Sequence, residues 1–301
     1  MKLEVYGLKL PEIKVGDDLS KLIVESAFEQ HIEIKENDIV VVTSKVLSKS
    51  KGYVIKPQER TSKKVEKIAK TLGKPPKEVE LILKLSSKVV AVVPVYEILK
   101  ESTFPSYFTE SPEEAKHLLE SDRSFLLVQM QDRRIASDAG IDTSNVPAEY
   151  YVFTPLDPDK EAMELAKNIK SVTGKEVAVV ITDTEFSITK FGSIDVAIGS
   201  YGIEPIKRKF ASKDRFGKPK YGGVDIVVDE IAATAALLMG QAAEGIPVVI
   251  IRGLSYKKVE DGLSKSYIPR EILQKGIFLS LLYTAKYKLL NFFYSLLYGS
   301  S

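Results

Sequence analysis

The stretch that most constrains this chain is residues 177–199, VAVVITDTEFSITKFGSIDVAIG. Its apolar opening, residues 177–181, stops at Thr182-Asp183-Thr184, and a polar loop leads to a second apolar run that ends at Gly199. A buried strand that ends in an acid and two hydroxyls is a common place for an α/β protein to hold a metal ion or a phosphate. A strand-to-turn junction, with Asp183 bonding its own loop, is the plainer reading, since Asp and Thr favour such turns. Taken alone, the stretch favours the plainer reading.

Composition narrows the chemistry. The chain has no cysteine, which excludes disulfides, thiolate zinc sites and Cys nucleophiles. His31 and His117 are its only histidines, and neither has a second ligand-type residue at metal spacing. A histidine zinc site or a Ser-His-Asp triad is therefore not expected. A metal here would be a hard cation on oxygen ligands. Lys+Arg 43 against Asp+Glu 41 leaves a net charge of +2, which gives no support for bulk nucleic-acid binding. At 301 residues, 44% hydrophobic and 28% charged, the chain has the balance of a soluble globular protein of one large or two ordinary domains. The start, MKLEVYGLKL, lacks a charged region followed by an apolar one. No signal peptide is expected, and the protein is expected in the cytoplasm.

Along the chain, residues 2–6 alternate like a short strand, and Gly16-Asp17-Asp18 precedes a helix whose apolar face carries Leu19, Leu22, Ile23 and Phe28. Residues 38–42 (DIVVV) read as a buried strand running into Thr43-Ser44-Lys45-Val46-Leu47-Ser48-Lys49. Hydroxyls and lysines just past a strand suit phosphate, although a solvated loop in a Lys-rich protein is the favoured reading of this stretch by itself. Helices are predicted over residues 57–72 and 76–85, and strands over 89–95 and 125–131. Residues 96–122, rich in acids and Ser, read as an inserted surface segment with a helix over 112–119. Residues 138–145 (DAGIDTSN) form a tight, oxygen-rich loop, which an Asx-type turn also explains.

Asp157-Pro158 starts a helix that runs through Ile169 and is ended by Gly174. The basic residues 207–221 read by default as a mobile loop, with an anionic substrate as the alternative. Asp229-Glu230 opens an Ala-rich helix over 231–239, where acids suit the helix dipole. A strand over 247–252 follows. Residues 276–298 are apolar except for Lys286 and Lys288, with Tyr283, Tyr287, Leu290, Tyr294 and Tyr298 on one helical face. The lysines and Asn291 argue against a membrane span. Docking on the core or on a second subunit is favoured over interfacial membrane contact.

In this order, the pieces resemble the coenzyme F420-0:L-glutamate ligase family. The matching stretches are GLKLP with KVGDDL, VVTSKVLSK, DAGIDTSNV, PLDPD, VAVVITDT, AIGSYGIEPI, DRFGKP, DEIAATAALLMGQAAEGIPVV and IIRGL. The resemblance implies an α+β fold of mixed β-sheets with packed helices, not a Rossmann sheet, and a homodimer. It divides the chain into a catalytic core over 1–254, with an insertion at about 96–122, and a helical extension over 255–301. The implied reaction is an amide ligation dependent on GTP and a divalent metal. The side-chain carboxylate of F420-0 is phosphorylated, and the amine of L-glutamate then displaces phosphate. Such chemistry asks for charge neutralisation and alignment rather than a protein nucleophile.

Carried over by position, the resemblance implies Asp142 and Asp183 as catalytic metal ligands, joined by Thr184 and Gln241. The ion would be Mg2+ or Mn2+, with two per subunit, and K+ as a further candidate. Nucleotide contacts would come from Leu10, Pro11, Ser44, Lys49 and Asn145, and from Met239, Gly240, Gln241, Glu244, Gly245 and Ile246. No side chain is marked as the general base. The chain departs from the family after ITDT, where a Gly-Arg pair is usual and Phe186-Ser187 stand here, leaving Lys190 as the cation of that loop. Asp138 stands where Asn is usual, which adds negative charge near the proposed metals. These departures keep two alternatives open: a related ligase with another acid acceptor, and a nucleotide-binding or interaction protein without turnover.

Overall fold

The computed structural model describes residues 2–100, 109–147, 149–187, 190 and 192–298. Residues 101–108 of the inserted segment, Ile188, Thr189 and Phe191 of the loop after ITDT, and the side chains of Tyr294 and Tyr298 lie outside the described residues. Two units form along the chain, residues 1–266 and 267–301.

The first unit is built on a five-stranded sheet of β1 (Glu4–Leu8), β11 (Val248–Arg252), β2 (Ile39–Thr43), β9 (Ala178–Phe186) and β10 (Ser193–Tyr201), in that order. Only β2 and β9 run parallel in it, and the other pairs are antiparallel. The strands read as continuous apolar runs because both faces of the sheet are covered. Val40, Val42, Val179, Ile181, Val248 and Ile250 point into a core shared with two helices, α1 (Leu19–Glu29) and α7 (Pro158–Thr173). The alternate residues Ile39, Val41, Val180 and Val249 are equally buried and face the other way, toward α8 (Val227–Met239). Ala232 and Ala235 of α8 are fully buried, which lets its backbone approach the strands closely.

Capping follows the sequence. Asp18 caps α1 by accepting from Lys21 N at 3.1 Å, and Asp157 caps α7 by accepting from Lys160 N at 3.1 Å. Phe28 does not join the apolar face of α1: it is 79% exposed, in the last turn of the helix. Two smaller sheets complete the unit. One is β3 (Val54–Ile55), β8 (Tyr151–Phe153) and β7 (Ile141–Asp142); the other is β4 (Lys88–Val93), β5 (Phe125–Gln129) and β6 (Ile135–Ser137). The architecture is α+β with mixed sheets, as expected. Residues 255–266 belong to this unit, where Asp159 accepts from Leu263 N at 3.0 Å and Ser264 N at 2.9 Å.

The second unit is the helix α9 (Arg270–Tyr298) with its flanks. It exposes Phe278, Leu281, Tyr283 and Leu290. Among the described residues no helix is long and apolar enough to cross a membrane.

Candidate active site

The parallel pairing of β2 with β9 sets Thr43 opposite Thr182. The residue after each strand partner then falls at the same end of the sheet, and there Ser44 Oγ donates to Asp183 Oδ1 at 2.9 Å. Ser44 does not sit in a loop. It begins the helix α2 (Ser44–Lys51), whose N-cap, Thr43, makes no side-chain capping bond. The first-turn backbone N–H groups of α2 therefore lack a side-chain cap at the point where the strand-end acid arrives.

Lys45, the next residue, reaches the second acid. Its ammonium lies 2.6 Å from Asp142 Oδ2 and donates to Ser144 Oγ at 2.5 Å. Ser144 N donates to Asp142 Oδ1 at 2.6 Å. Burial alone would raise the Asp142 carboxyl, but Lys45 and the Ser144 N–H hold it below the usual carboxylate range. One turn further along α2, Lys49 pairs with Glu12 and donates to the Asn145 carbonyl at 3.1 Å. Among the described residues Asp183 has no lysine partner. Burial pushes its carboxyl up to about 6, against the Ser44 hydrogen bond and the nearby Arg134 guanidinium, while Glu185 adds to the rise.

Thr184 and Gln241 form a separate group. Strand alternation turns Thr184 away from Asp183 to the opposite face of β9. There Thr184 Oγ1 donates to Asp195 Oδ1 at 2.8 Å, its register partner on β10. Gln241 Nε2 donates to the same oxygen at 2.9 Å, and Thr184 Oγ1 lies 3.3 Å from Gln241 Oε1. Asp195 is raised above the usual carboxylate range by burial, which these two bonds oppose. Sequence reasoning missed Lys45 and Asp195. Lys45 lay inside a stretch already marked for its lysines, whereas Asp195 becomes visible only through the strand register.

The remaining expected contacts gather at the same sheet end. Thr43 N donates to the Pro247 carbonyl at 3.0 Å, and Leu8 on β1 is the register partner of Val248. The turn over residues 239–246 and the Leu10-Pro11 segment are thus led to the end where Ser44 and Asp183 meet. Gly7 permits this closure, since a Cβ there would lie 2.8 Å from Ile246 Cγ2. Gly240, at φ 66°, leaves room for Glu244, whose carboxylate accepts from Ala242 N at 2.9 Å. Leu10 packs against the main core, and Met239 is buried at the end of α8.

Asp138 behaves differently from expectation. Its carboxylate accepts from Leu126 N at 2.8 Å and pairs with the ammonium of Lys74 at 3.0 Å. That ammonium is fully buried and also meets Glu78 at 2.9 Å, Asp122 at 2.7 Å and the Ser124 carbonyl at 2.9 Å. The extra charge of Asp138 is therefore neutralised within this cluster rather than added to the site. Among the described residues, Glu78, Asp122 and Asp138 are the three carboxylates that converge within 4.8 Å, and Lys74 supplies their cation. Asp122 closes the inserted segment, so its end is anchored.

The first two residues after ITDT, which still belong to β9, are held by side-chain contacts. Glu185 Oε2 accepts from Ser137 Oγ at 2.5 Å, and the Phe186 ring lies 5.3 Å from that of Phe125. The basic residues 207–221 belong to an arm held by backbone bonds such as Lys209 N to the Gly223 carbonyl at 2.9 Å, and bridges pair Ile206 with Ile226 and Lys213 with Pro219. Asp229 has a structural partner, accepting from Ala197 N at 2.9 Å.

The family described as F420-0:gamma-glutamyl ligase matches residues 7–253. The coenzyme F420:L-glutamate ligase of Methanosarcina acetivorans is 33% identical over 282 residues, 92% of this chain and 97% of that one. The protein of the same name from Archaeoglobus fulgidus is 35% identical over 257 residues, 85% of this chain and 89% of that one. That of Methanothermobacter thermautotrophicus is 30% identical over 276 residues, 90% and 98% of the two chains.

Proposed function

The chain belongs to the F420-0:gamma-glutamyl ligase family, amide-forming ligases, and from that premise we propose that it joins L-glutamate to the side-chain carboxylate of coenzyme F420-0 at the expense of GTP, with Mg2+ or Mn2+. The observation that carries this reading is the engagement of Asp183 and Asp142 by Ser44 and Lys45, consecutive residues at the start of one helix.

The donor set fits a hard divalent cation, since Asp142, Asp183, Thr184 and Gln241 offer only oxygen. The Lys45 ammonium on Asp142 is a positive charge where one ion would be held. Asp142 with Asp183 would hold one ion, and Thr184 with Gln241 a second. Bound there, the metal would neutralise phosphate charge and align the γ-phosphoryl group. The chain's own residues supply the rest. The start of α2 offers backbone N–H groups and a dipole that suit a phosphate. Lys45 and Lys49 supply point charges, and the turn over residues 239–246 would close on the nucleotide.

In the reaction, a carboxylate oxygen of the acceptor attacks the γ-phosphorus and GDP leaves. The glutamate amine then attacks the acyl carbon and phosphate leaves, taking the amine proton on one of its oxygens. The arm over residues 206–226 exposes Phe216 and Tyr221 almost fully, which supports a homodimer in which a second copy covers it.

Incubation with GTP, Mn2+, L-glutamate and F420-0 tests the reading by mass spectrometry. A product heavier by one glutamate residue, formed with GDP, supports it; GTP and Mn2+ binding without any adduct refutes the acceptor. A related ligase with another acid acceptor is the second reading. It is favoured by Phe186-Ser187 standing where the family's Gly-Arg pair is expected, with Phe186 packed against Phe125.

A further inference from the structure

Asp195 is 4% exposed. Among the described residues it has no ion-pair partner. Its two hydrogen bonds come from the Thr184 hydroxyl at 2.8 Å and the Gln241 amide at 2.9 Å, both to Oδ1, and Oδ2 receives none. A buried carboxylate normally has a cation beside it, on a side chain or as a metal ion, because neutral donors offset only part of its desolvation. Other buried acids of the chain follow that rule: Asp38 meets Arg252 at 2.7 Å, and Asp132 meets Arg134 at 2.9 Å.

The oxygens around Asp195 are spaced for an ion. Thr184 Oγ1 lies 2.8 Å from Asp195 Oδ1 and 3.3 Å from Gln241 Oε1. In an octahedral site with metal–oxygen bonds of about 2.0–2.1 Å, adjacent ligand oxygens stand about 3.0 Å apart, and the two distances bracket that value. The register of β9 with β10 sets Asp195 opposite Thr184. Thr184 and Gln241 are exposed, so the set has a charged, buried base and a neutral, solvent-facing rim.

We propose that Asp195 is a third ligand of the divalent ion assigned to Thr184 and Gln241, and that it supplies the negative charge of that site. Thr184 and Gln241 by themselves are neutral and would hold an ion only with the phosphates of a bound nucleotide. With Asp195 the set carries one negative charge and holds the ion before the nucleotide arrives. The inference rests on the metal-dependent ligase reading for the kind of ion, and it adds an acid that the family resemblance does not mark.

Mn2+ binding to the full chain without nucleotide, followed by electron paramagnetic resonance, tests it. Asp142→Asn disables the other pair of acids and is expected to keep one nucleotide-free Mn2+ per chain, with a Kd below about 1 mM. Adding Asp195→Asn, which keeps the shape and removes the charge, is expected to weaken that ion about tenfold or more. Mn2+ should raise the melting temperature of Asp142→Asn and not that of the double variant. Thr184→Val, at an exposed position, is expected to weaken the same ion about tenfold and keeps the test decisive if the double variant does not fold. No nucleotide-free Mn2+ in Asp142→Asn would overturn the proposal, as would binding undiminished by Asp195→Asn or by Thr184→Val. None of these measurements contains GTP, L-glutamate or F420-0. Their failure would leave the ligase reading standing on Asp142 and Asp183, and the failure of F420-0 as acceptor would leave their result unchanged.

Discussion

Ser44 Oγ and Asp183 Oδ1, 139 residues apart in sequence, are 2.9 Å apart because Thr43 and Thr182 are register partners on parallel strands. The register converts two unremarkable strand endings into one site. It also makes the consequences of single substitutions separable.

Ser44→Ala removes a donor to a buried carboxylate without emptying the core. A hydrogen bond to a charged group contributes about 1.5–3 kcal/mol. In the presence of Mn2+, GTP affinity measured by calorimetry is expected to fall about tenfold, which corresponds to roughly 1.4 kcal/mol. The melting temperature should move by no more than a few degrees. An unchanged GTP affinity would remove Ser44 from the site.

Asp183, bonded by Ser44, and Thr184, bonded to Asp195 beside Gln241, turn to opposite faces of β9. Mn2+ titration followed by electron paramagnetic resonance should therefore resolve two classes of ion in the presence of GTP. Asp142→Asn is expected to remove one class and Gln241→Ala the other. Loss of both classes in either variant would mean that the ions share one site.

Lys74 sets a pH dependence of stability. Burial raises the carboxyls of Glu78 and Asp138 despite Lys74 beside them, and these acids carry the Lys74 ammonium above its usual range although burial opposes it. For a raised carboxyl, the associated stability is complete below its unfolded value and is lost as pH rises through the folded one. In Lys74→Met the two carboxyls rise further, so that loss extends toward neutral pH. Removing one partner of a buried pair costs about 3–5 kcal/mol. Urea unfolding should show a deficit of that order at pH 7 and a clearly smaller one at pH 4. An equal deficit at both pH values would contradict the assignment.

Restoring the family pair tests the loop. Phe186→Gly with Ser187→Arg gives up the contact with Phe125 and returns a planar guanidinium suited to phosphate or carboxylate. The KM for F420-0 is expected to fall in this double variant while the KM for GTP stays. A change in GTP alone would place the loop at the nucleotide instead.

The strands were legible because a sheet covered on both faces needs continuous apolar runs such as IVVVT, and the caps Asp18 and Asp157 announce their helices. The helix Ser44–Lys51 was less so, since Ser and Lys carry little apolar pattern and its order comes from packing beside β2 and β9. The arm over residues 206–226 is ordered by backbone pairs that composition does not report. Lys74 and Asp138 meet across 64 residues, so the neutralisation of Asp138 could not be read locally. At the site, sequence supplied Asp142, Asp183, Thr184 and Gln241 through family resemblance. Only the fold turns Asp183 and Thr184 to opposite faces of β9 and adds Lys45 beside Asp142 and Asp195 beside Thr184 and Gln241.

GTP binding with and without Mn2+, compared between the wild-type protein and Asp183→Asn, tests most directly whether the strand-end acid holds the nucleotide's metal. The account expects Mn2+ to tighten GTP binding to the wild type at least tenfold and to have no effect on the variant, with metal-free binding alike in both. An equal gain from Mn2+ in the two proteins would contradict it.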